Sequence, residues 1–201
     1  MSLAGVRLTQ PNHNRLLALI IGLIITACAL SPQTVTIYPT LHLPSRDIGR
    51  GRTIALEVID ARSSQSFGVR GGIYQETSVI NPSGEIKVPV RNALATTLHN
   101  YRFAVALPGA SAPLAMTVTI EDIRYTPSGA PLVNEVRADL ALKALCRDGT
   151  RQYTGRYTAR TSKRVLTAPS AEDNEEIINT VLSKGLESMM TDPGLLDFLR
   201  G

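Results

Sequence analysis

The sequence of 201 residues lacks tryptophan, has only two cysteines, and carries charged side chains at 19% of its positions. This low charge, together with a hydrophobic content of 43%, excludes a disordered chain and a strongly basic nucleic-acid-binding protein. Neither a collagen-like glycine period nor a coiled-coil composition is present. A chain of this length forms one domain or two small ones. The composition therefore predicts a globular protein with a substantial core.

Sequence motifs that carry chemistry are also missing. The chain has no Gly-x-Ser-x-Gly elbow, no phosphate-binding loop and no dinucleotide-binding fingerprint. His42 and His99 stand apart from the cysteine, histidine and acidic neighbours that a zinc site needs. We therefore predict a protein that is not an enzyme, with no catalytic residues, no metal site and no cofactor.

The first thirty residues have the organisation of a secretory signal. Arg7 and Arg15 supply positive charge, and an uncharged apolar run extends over Leu16–Thr26. This run is too short for a transmembrane helix, which needs about 20 apolar residues. The sequence Ile-Thr-Ala-Cys that ends at Cys28 resembles the bacterial lipobox, in which cleavage follows a small residue and the cysteine thiol takes a diacylglyceryl group. We predict a signal peptide over residues 1–27, cleaved between Ala27 and Cys28; the alternative is an uncleaved anchor beside an ordinary cysteine.

Acylation of Cys28 has consequences for location and charge. Two or three acyl chains, of the palmitate type, hold a protein on a membrane, because each buried methylene contributes about 0.8 kcal/mol. In enterobacterial sorting an aspartate after the cysteine favours the inner membrane, so Ala29 indicates the periplasmic face of the outer membrane. Removing the signal peptide leaves 19 basic and 17 acidic residues, which gives no argument for a nucleic-acid partner. Cys146 is then the only free thiol, so no disulfide forms within the chain.

The mature chain is predicted to have a tether and one domain. Residues 28–52 are predicted as the lipidated N-terminus and the tether, since prolines surround one short β-like stretch that we place at a sheet edge, Thr34–Tyr38. The domain, residues 53–201, starts with a buried strand at Thr53–Ile59. A helix starting at Pro89 and a short strand follow. The apolar residues on one face of that helix are Val90, Leu94, Leu98 and Tyr101, and the strand is Phe103–Leu107.

Apolar and polar residues alternate over residues 135–163, which predicts a long β-hairpin. We place Asp148–Gly149 in its turn, because the two central residues of a type I′ turn need positive φ. In this register the numbers of paired residues sum to 297, so Arg137 lies opposite Arg160. That pair is unfavourable unless an anion such as Asp139 lies between the two arginines.

The remaining elements complete the predicted fold. An alternating strand over residues 116–125 slips in phase near Glu121–Asp122, which predicts a β-bulge. Ser170 and Asp173 have the spacing of a helical capping box, and Asp192–Pro193 has the pattern of a second helix start. The predicted order is β-α-β-β-β-β-α. We therefore predict an α+β fold with a mostly antiparallel sheet of about four to five strands and helices packed on one face.

The loop that follows the first strand has two interpretations. Arg62 and Arg70, near the glycines of residues 68–72, are candidates for contact with an anion, a glycan or a partner. Alternatively, an ion pair between Asp60 and Arg62 pins the loop, and the glycines supply positive φ. The second interpretation is favoured, because no other motif converges on this loop. Cys146, on the inward side of a predicted strand, is interpreted as a core residue.

Several segments together resemble one known family. The lipobox is followed by SPQTVTIYPTLHLP (Ser31–Pro44), IALEVIDAR (Ile54–Arg62), GVRGG (Gly68–Gly72) and an acid-capped final helix. This combination resembles the YajG family of bacterial envelope lipoproteins over nearly the whole mature chain. The resemblance implies no catalytic residues, and the frequent position of family genes beside a muropeptide permease gene suggests cell-wall biology. The element order also resembles a small domain of lipoproteins that activate peptidoglycan synthases, although fold does not fix function.

Two functions are compatible with the sequence. The first is a non-enzymatic, membrane-anchored lipoprotein that faces the periplasm and binds another envelope component, either a protein or peptidoglycan. The second is a small-ligand carrier or an enzyme that uses a cleft near residues 60–82. A partner-binding surface requires a continuous apolar or charged patch on the free face of the sheet. A carrier requires an apolar cavity of at least about 300 Å³ with converging polar groups.

Overall fold

The computed structural model describes residues 31–71, 77–107, 109–127, 135–165 and 169–201. Within these ranges the fold is of the α+β class, with eight strands and three helices. In chain order they are β1 (Gln33–Val35), β2 (Thr53–Asp60), β3 (Gly68–Val69), β4 (Val79–Pro82), α1 (Lys87–Asn100), β5 (Ala104–Ala106), β6 (Leu114–Pro127), β7 (Glu135–Asp148), β8 (Arg151–Arg164), α2 (Ala171–Thr191) and α3 (Pro193–Arg200).

Three strands of 14 residues each, β6 to β8, form the regular part of the sheet. The central one, β7, is antiparallel to both of its neighbours. Every second side chain of β7 from Val136 to Cys146 is buried, which confirms the alternation in the sequence. The β-bulge is also confirmed, because the pairing of β6 with β7 passes from Ile120 to Asp122 and leaves Glu121 as the extra residue.

The turn between β7 and β8 corrects the predicted register. Asp148 pairs with Arg151, so that Gly149 and Thr150 form the turn and the numbers of paired residues sum to 299. Only Gly149 of these two has a positive φ, 58°. Glycine at the first central position is typical of a type II′ turn, which needs positive φ at that position alone. Because the register moves by two residues, inward side chains still meet inward side chains.

The sheet is larger and more mixed than predicted. It has eight strands instead of four or five, and four of its seven strand pairings are parallel. One edge of β6 carries two branches: β2 and then β5 pair along its first half, whereas β3, β4 and β1 continue the sheet from Tyr125. The predicted element order omitted β3 and β4, because strands of two to four residues show no readable alternation. It also did not count β1, which overlaps the β-like stretch predicted at a sheet edge, Thr34–Tyr38, but ends at Val35.

The helices and the inner face of the sheet enclose one hydrophobic core. Helix α1 packs on β2 and β5, and α2 packs on β7 and β8. The fully buried Tyr101 joins the two helices, because its hydroxyl donates a hydrogen bond of 3.0 Å to the carbonyl of Met190. Helix α1 begins at Lys87, so that Pro89 lies in its first turn, where no intrahelical N–H donor is needed.

The segment predicted as a tether belongs to the folded domain. Val35 and Ile37 are buried in the core, and β1 pairs with β4. After β1 the chain runs along α2 as an extended strap, residues 36–42. Alternate backbone N–H groups of the strap donate to α2 side chains four residues apart, at 2.6–3.0 Å: Thr36 to Glu175, Tyr38 to Asn179, Thr40 to Ser183, and His42 to Glu187.

The hydrogen bonds between the strap and α2 repeat regularly because the two segments have nearly the same repeat distance. Two residues of extended chain advance about 6.6 Å, and four residues of helix advance about 6.0 Å. Asn179 also donates to the carbonyl of Thr36 at 2.8 Å, which fixes the strap from both sides. The fold therefore already includes β1 and the strap, which precede the predicted domain boundary at residue 53.

Both predicted helix starts are confirmed. Ser170 and Asp173 form a reciprocal capping box at 3.1 Å, and Asp192 accepts the backbone N–H of Gly194 at 3.0 Å. Pro193 is the first residue of α3. Among the described residues, no helix combines the length and the apolar character needed to cross a membrane.

Candidate functional site

The predicted cleavage and lipidation residues, Ala27 and Cys28, lie outside the described residues. The chain is nevertheless fastened to the domain three residues after Cys28. The carbonyl of Ser31 accepts a hydrogen bond of 3.1 Å from Arg70, whose guanidinium also donates to the carbonyl of Pro169 at 2.9 Å. Pro169 directly precedes the N-cap of α2. Ser31, three residues after the proposed lipid attachment, therefore lies close in space to the N-terminal end of α2.

Arg62 lies in a buried ion pair. Its side chain is 2% exposed, and its guanidinium donates two hydrogen bonds of 2.9 Å to the carboxylate of Asp60. A third donor reaches the carbonyl of Gln65 at 3.2 Å, and the guanidinium carbon lies 5.0 Å from the ring centre of Phe67. Burial alone would raise the pKa of Asp60, but the hydrogen bonds from Arg62 outweigh it and hold the pKa below its usual value. This geometry supports the interpretation of a pinned loop, whereas contacts of Arg62 or Arg70 with a partner remain predictions.

The cleft beside this loop is small and polar. Its volume is about 210 Å³, and the residues that line it are Asp60, Arg62, Gln65, Gly84, Glu85, Ile86 and Lys87. An apolar ligand pocket is larger, about 300 Å³ or more, and has mostly hydrophobic walls. The geometry therefore does not favour the interpretation of this cleft as a carrier site.

The remaining residues with reactive or metal-binding side chains, Cys146, His42 and His99, do not form a common site in the described part of the chain. Cys146 is fully buried, and burial raises the pKa of its thiol to about 12, which keeps it protonated at neutral pH. Within the described ranges, no three histidine, cysteine or acidic residues are grouped closely enough to hold a metal ion. His42 belongs to the strap, whereas His99 lies near the end of α1.

A depression at the C-terminal end of α1 is the most distinctive surface feature that the sequence analysis missed. Its volume is about 730 Å³ and it is open to solvent. We call it the basic depression, and it is lined by Asp47, Arg50, Gly51, His99, Arg102, Phe103 and Ala104. Two loops that are about fifty residues apart in sequence form it, so no local pattern indicates it.

The helix end that forms one wall has a Schellman motif. The N–H of Arg102 donates to His99 and that of Phe103 to Leu98, at 2.9 and 3.0 Å, which satisfies two carbonyls of the last turn. The residue after the C-cap in this motif needs a left-handed backbone and is usually glycine. Here it is Arg102, with φ of 64°.

The opposite wall is a tight turn. The N–H of Arg52 donates to the carbonyl of Gly49 at 2.8 Å, and the two central residues, Arg50 and Gly51, have φ of 49° and 80°. Positive φ at both positions defines a type I′ turn. The N–H groups of Gly49 and Gly51 cap α1 by donating to the carbonyls of Tyr101 and Arg102 at 2.8 and 2.7 Å. Within the described residues, only Arg50 and Arg102 combine positive φ with a side chain other than hydrogen.

The face of the sheet away from the core carries balanced charge. Asp139 bridges Arg137 and Arg160, with N–O distances of 3.0 and 2.5 Å, and lies opposite Arg160 in the ladder. The predicted pairing of Arg137 with Arg160 is therefore wrong, because the register differs by two residues. Arg124 pairs with Asp122 at the bulge in the same way. Acidic partners neutralise these three arginines, so this part of the face is a weaker candidate for a charged docking surface than the basic depression.

Comparison with known proteins identifies the class. A family model described as an uncharacterized lipoprotein, Lipoprotein_16, matches residues 39–200. The chain therefore belongs to this family of lipoproteins, which is the YajG family that the sequence resembles. The match includes most of the strap, in agreement with its place in the fold. No protein with a curated description matches the chain in sequence.

Several solved structures are similar to this chain at low sequence identity. A protein from Xanthomonas campestris has a TM-score of 0.53 at 11% identity, over 85% of this chain and 97% of that one. A putative neuraminyllactose-binding hemagglutinin homolog from Helicobacter pylori has a TM-score of 0.49 at 11% identity, over 81% and 96%. A putative lipoprotein from Caulobacter crescentus has a TM-score of 0.38 at 14% identity, over 56% and 81%. At such identities the first of these likenesses establishes the fold alone.

Proposed function

We propose that this lipoprotein is cleaved after Ala27, acylated on Cys28, and held on the periplasmic face of the outer membrane, where it binds another envelope component, a protein or peptidoglycan. Its membrane partner is the bilayer, through the acyl chains on Cys28. The basic depression is the binding site in this proposal. The role in this proposal is binding rather than catalysis, which is supported by a sequence without the nucleophile-elbow, phosphate-loop or dinucleotide-binding motifs of common enzymes.

The position of the depression relative to the lipid supports the proposal. Three residues span at most about 11 Å, so a Cys28 anchor keeps the α2 N-terminal end of the domain close to the bilayer. The strap then carries the chain along α2, which is 21 residues or about 30 Å long, towards its C-terminal end. The basic depression lies at that end, where Tyr101 contacts Met190. One observation carries the proposal: the depression contains two arginines that pair with no carboxylate of the described residues, and it lies near the C-terminal end of α2, whereas Ser31 is bound near the N-terminal end.

The anchor is tested by labelling in cells. We expect radioactive palmitate to label the wild type and not Cys28→Ser, and mass spectrometry to find the mature amino end at residue 28. An unlabelled wild-type protein with an intact signal segment would remove the basis for the whole arrangement.

The partner-facing end is tested by site-specific photocrosslinking in intact cells. A photoreactive amino acid at position 99, inside the depression, should capture a discrete envelope component, identified by mass spectrometry. The matched control is position 164, an exposed arginine at the end of β8 near the N-terminal end of α2. Equal capture at both positions, or capture at position 164 alone, would contradict the proposal.

A further inference from the structure

The two arginines of the basic depression occupy positions where another residue would be more stable. A left-handed backbone costs a non-glycine residue about 1 kcal/mol, and arginine has no short polar side chain to offset it. Both Arg50 and Arg102 adopt this conformation, whereas the neighbouring position with positive φ is occupied by the residue that usually adopts it, Gly51. Such residues cluster where function requires the side chain. The backbone therefore indicates that the guanidinium groups themselves are needed at this place.

The charges of these arginines are uncompensated within the described part of the chain. Arg52, in the same turn, pairs with Asp148 at 3.4 Å and also donates to the carbonyl of Leu199. In contrast, Arg50 and Arg102 form no ion pair with any carboxylate of the described residues, although Asp47 lines the same depression. Arg46 adds another exposed guanidinium nearby, 5.9 Å from the ring centre of Tyr101.

From the strained backbone and the free charge together, we infer that the basic depression binds an oxyanion, a carboxylate or a phosphate, on an envelope component. A guanidinium group can donate two parallel hydrogen bonds to either a carboxylate or a phosphate. This pairing adds a defined orientation to the electrostatic attraction. The open shape of the depression suits an anionic group carried on a larger molecule better than an enclosed small ligand. This inference names the ligand chemistry of the proposed function and rests on the same site.

The test uses the purified, acylated lipoprotein in neutral detergent micelles, labelled with ¹⁵N. We titrate it with acetate, with inorganic phosphate, and with neutral acetamide as the control probe. Both anions should shift the backbone amide signals of Gly51 and Phe103, and acetamide should not. Stronger binding of acetate indicates a peptide or protein carboxylate, whereas stronger binding of phosphate indicates a phosphorylated glycolipid. Either preference supports an oxyanion site.

Substitutions assign the binding to the two arginines. Arg50→Gly and Arg102→Gly suit the local backbone, so both variants should fold, and each should weaken anion binding about tenfold. Arg102→Lys keeps the charge and loses the fork, and should weaken binding less. Arg164→Ala, with the same change in net charge at the other end of the domain, should bind like the wild type.

The inference is overturned if neither anion shifts these signals, or if the two glycine variants bind as the wild type does. These results are independent of the crosslinking experiment. Capture of a partner at position 99 without any anion binding would refute the oxyanion chemistry and leave the proposed function intact. Anion binding without capture in cells would contradict the proposed function and leave the oxyanion chemistry of the depression intact.

Discussion

Two regions of the molecule use glycine and arginine in opposite ways. In the loop after β2, Gly68 and Gly71 take the positive φ angles, 148° and 92°, while Arg62 is buried and paired with Asp60. At the end of α1, Arg50 and Arg102 take positive φ themselves, and their side chains are exposed. In the first region, glycine supplies the positive φ angles and the buried Arg62 has a carboxylate partner. In the second, two exposed arginines take the left-handed conformation at a cost in backbone stability, which is the contrast expected between a structural loop and the proposed binding surface.

The largest expected effect comes from Gly68→Ala in the first region. A Cβ at Gly68 would overlap the carbonyl oxygen of Tyr125, and the φ of 148° disfavours any side chain. We expect a loss of about 4 kcal/mol in the free energy of unfolding, measured by chemical denaturation with circular dichroism. Gly84→Ala is the control, because no atom lies within 4 Å of the position that its Cβ would take and its φ is not positive. A loss at Gly68 as small as at Gly84 would show that the loop is not tightly built.

The second effect tests the buried ion pair. Asp60→Ala leaves the guanidinium of Arg62 buried without a carboxylate, and should cost about 3 kcal/mol of stability. Asp122→Ala removes an exposed pair, with side chains 68% and 42% exposed, and should cost less than about 1 kcal/mol. Adding Arg62→Met to Asp60→Ala should restore part of the loss, since no buried charge remains. Equal losses for the two single variants would mean that the pair does not pin the loop.

Acid pH probes the same pair without removing its arginine. The folded pKa of Asp60 lies below its unfolded value of about 3.9, so its contribution is complete above that pH and is lost as the pH falls through the folded pKa. Between pH 6 and pH 2 the wild type should lose more stability than Asp60→Asn, as measured by chemical denaturation at each pH. The comparison of the two curves is needed because the pKa values of Asp139 and Asp192 are also lowered. Parallel curves would refute this assignment.

Local patterns were sufficient for some parts of this fold. The alternation along β7, the bulge at Glu121 and the capping box at Ser170 each depend on residues that are neighbours in the chain. The hairpin register was missed by two residues, because Asp148–Gly149 and Gly149–Thr150 both fit a two-residue turn and only the three-dimensional ladder separates them.

Features formed by distant segments could not be predicted in the same way. The strap was interpreted as part of a tether, because the prolines of residues 28–52 are typical of a linker and the partners of the strap on α2 lie 139 to 145 residues away. The basic depression depends on the meeting of Arg50 and Arg102, which no spacing rule connects. The available signal was weak: arginine stands next to Gly49 and Gly51 in a turn-forming sequence, and no glycine follows the apolar stripe that ends at Tyr101.

The smallest expected effect is a change in the free energy of unfolding when Arg50 or Arg102 is replaced by glycine, and its sign is what separates a structural from a functional role. Arg50→Gly and Arg102→Gly should each raise the free energy of unfolding by about 0.5 kcal/mol, because relief of the left-handed strain exceeds the entropy gained by the unfolded chain. Arg147→Gly, within β7, should instead lower it, since glycine weakens a strand. Thermal unfolding in the same detergent measures all three variants. If the two arginines were there to stabilise the end of α1, their replacement would destabilise the protein, and the contrast between a structural loop and a binding surface would fail. A gain in stability that accompanies a loss of anion binding is the result that only a functional role predicts.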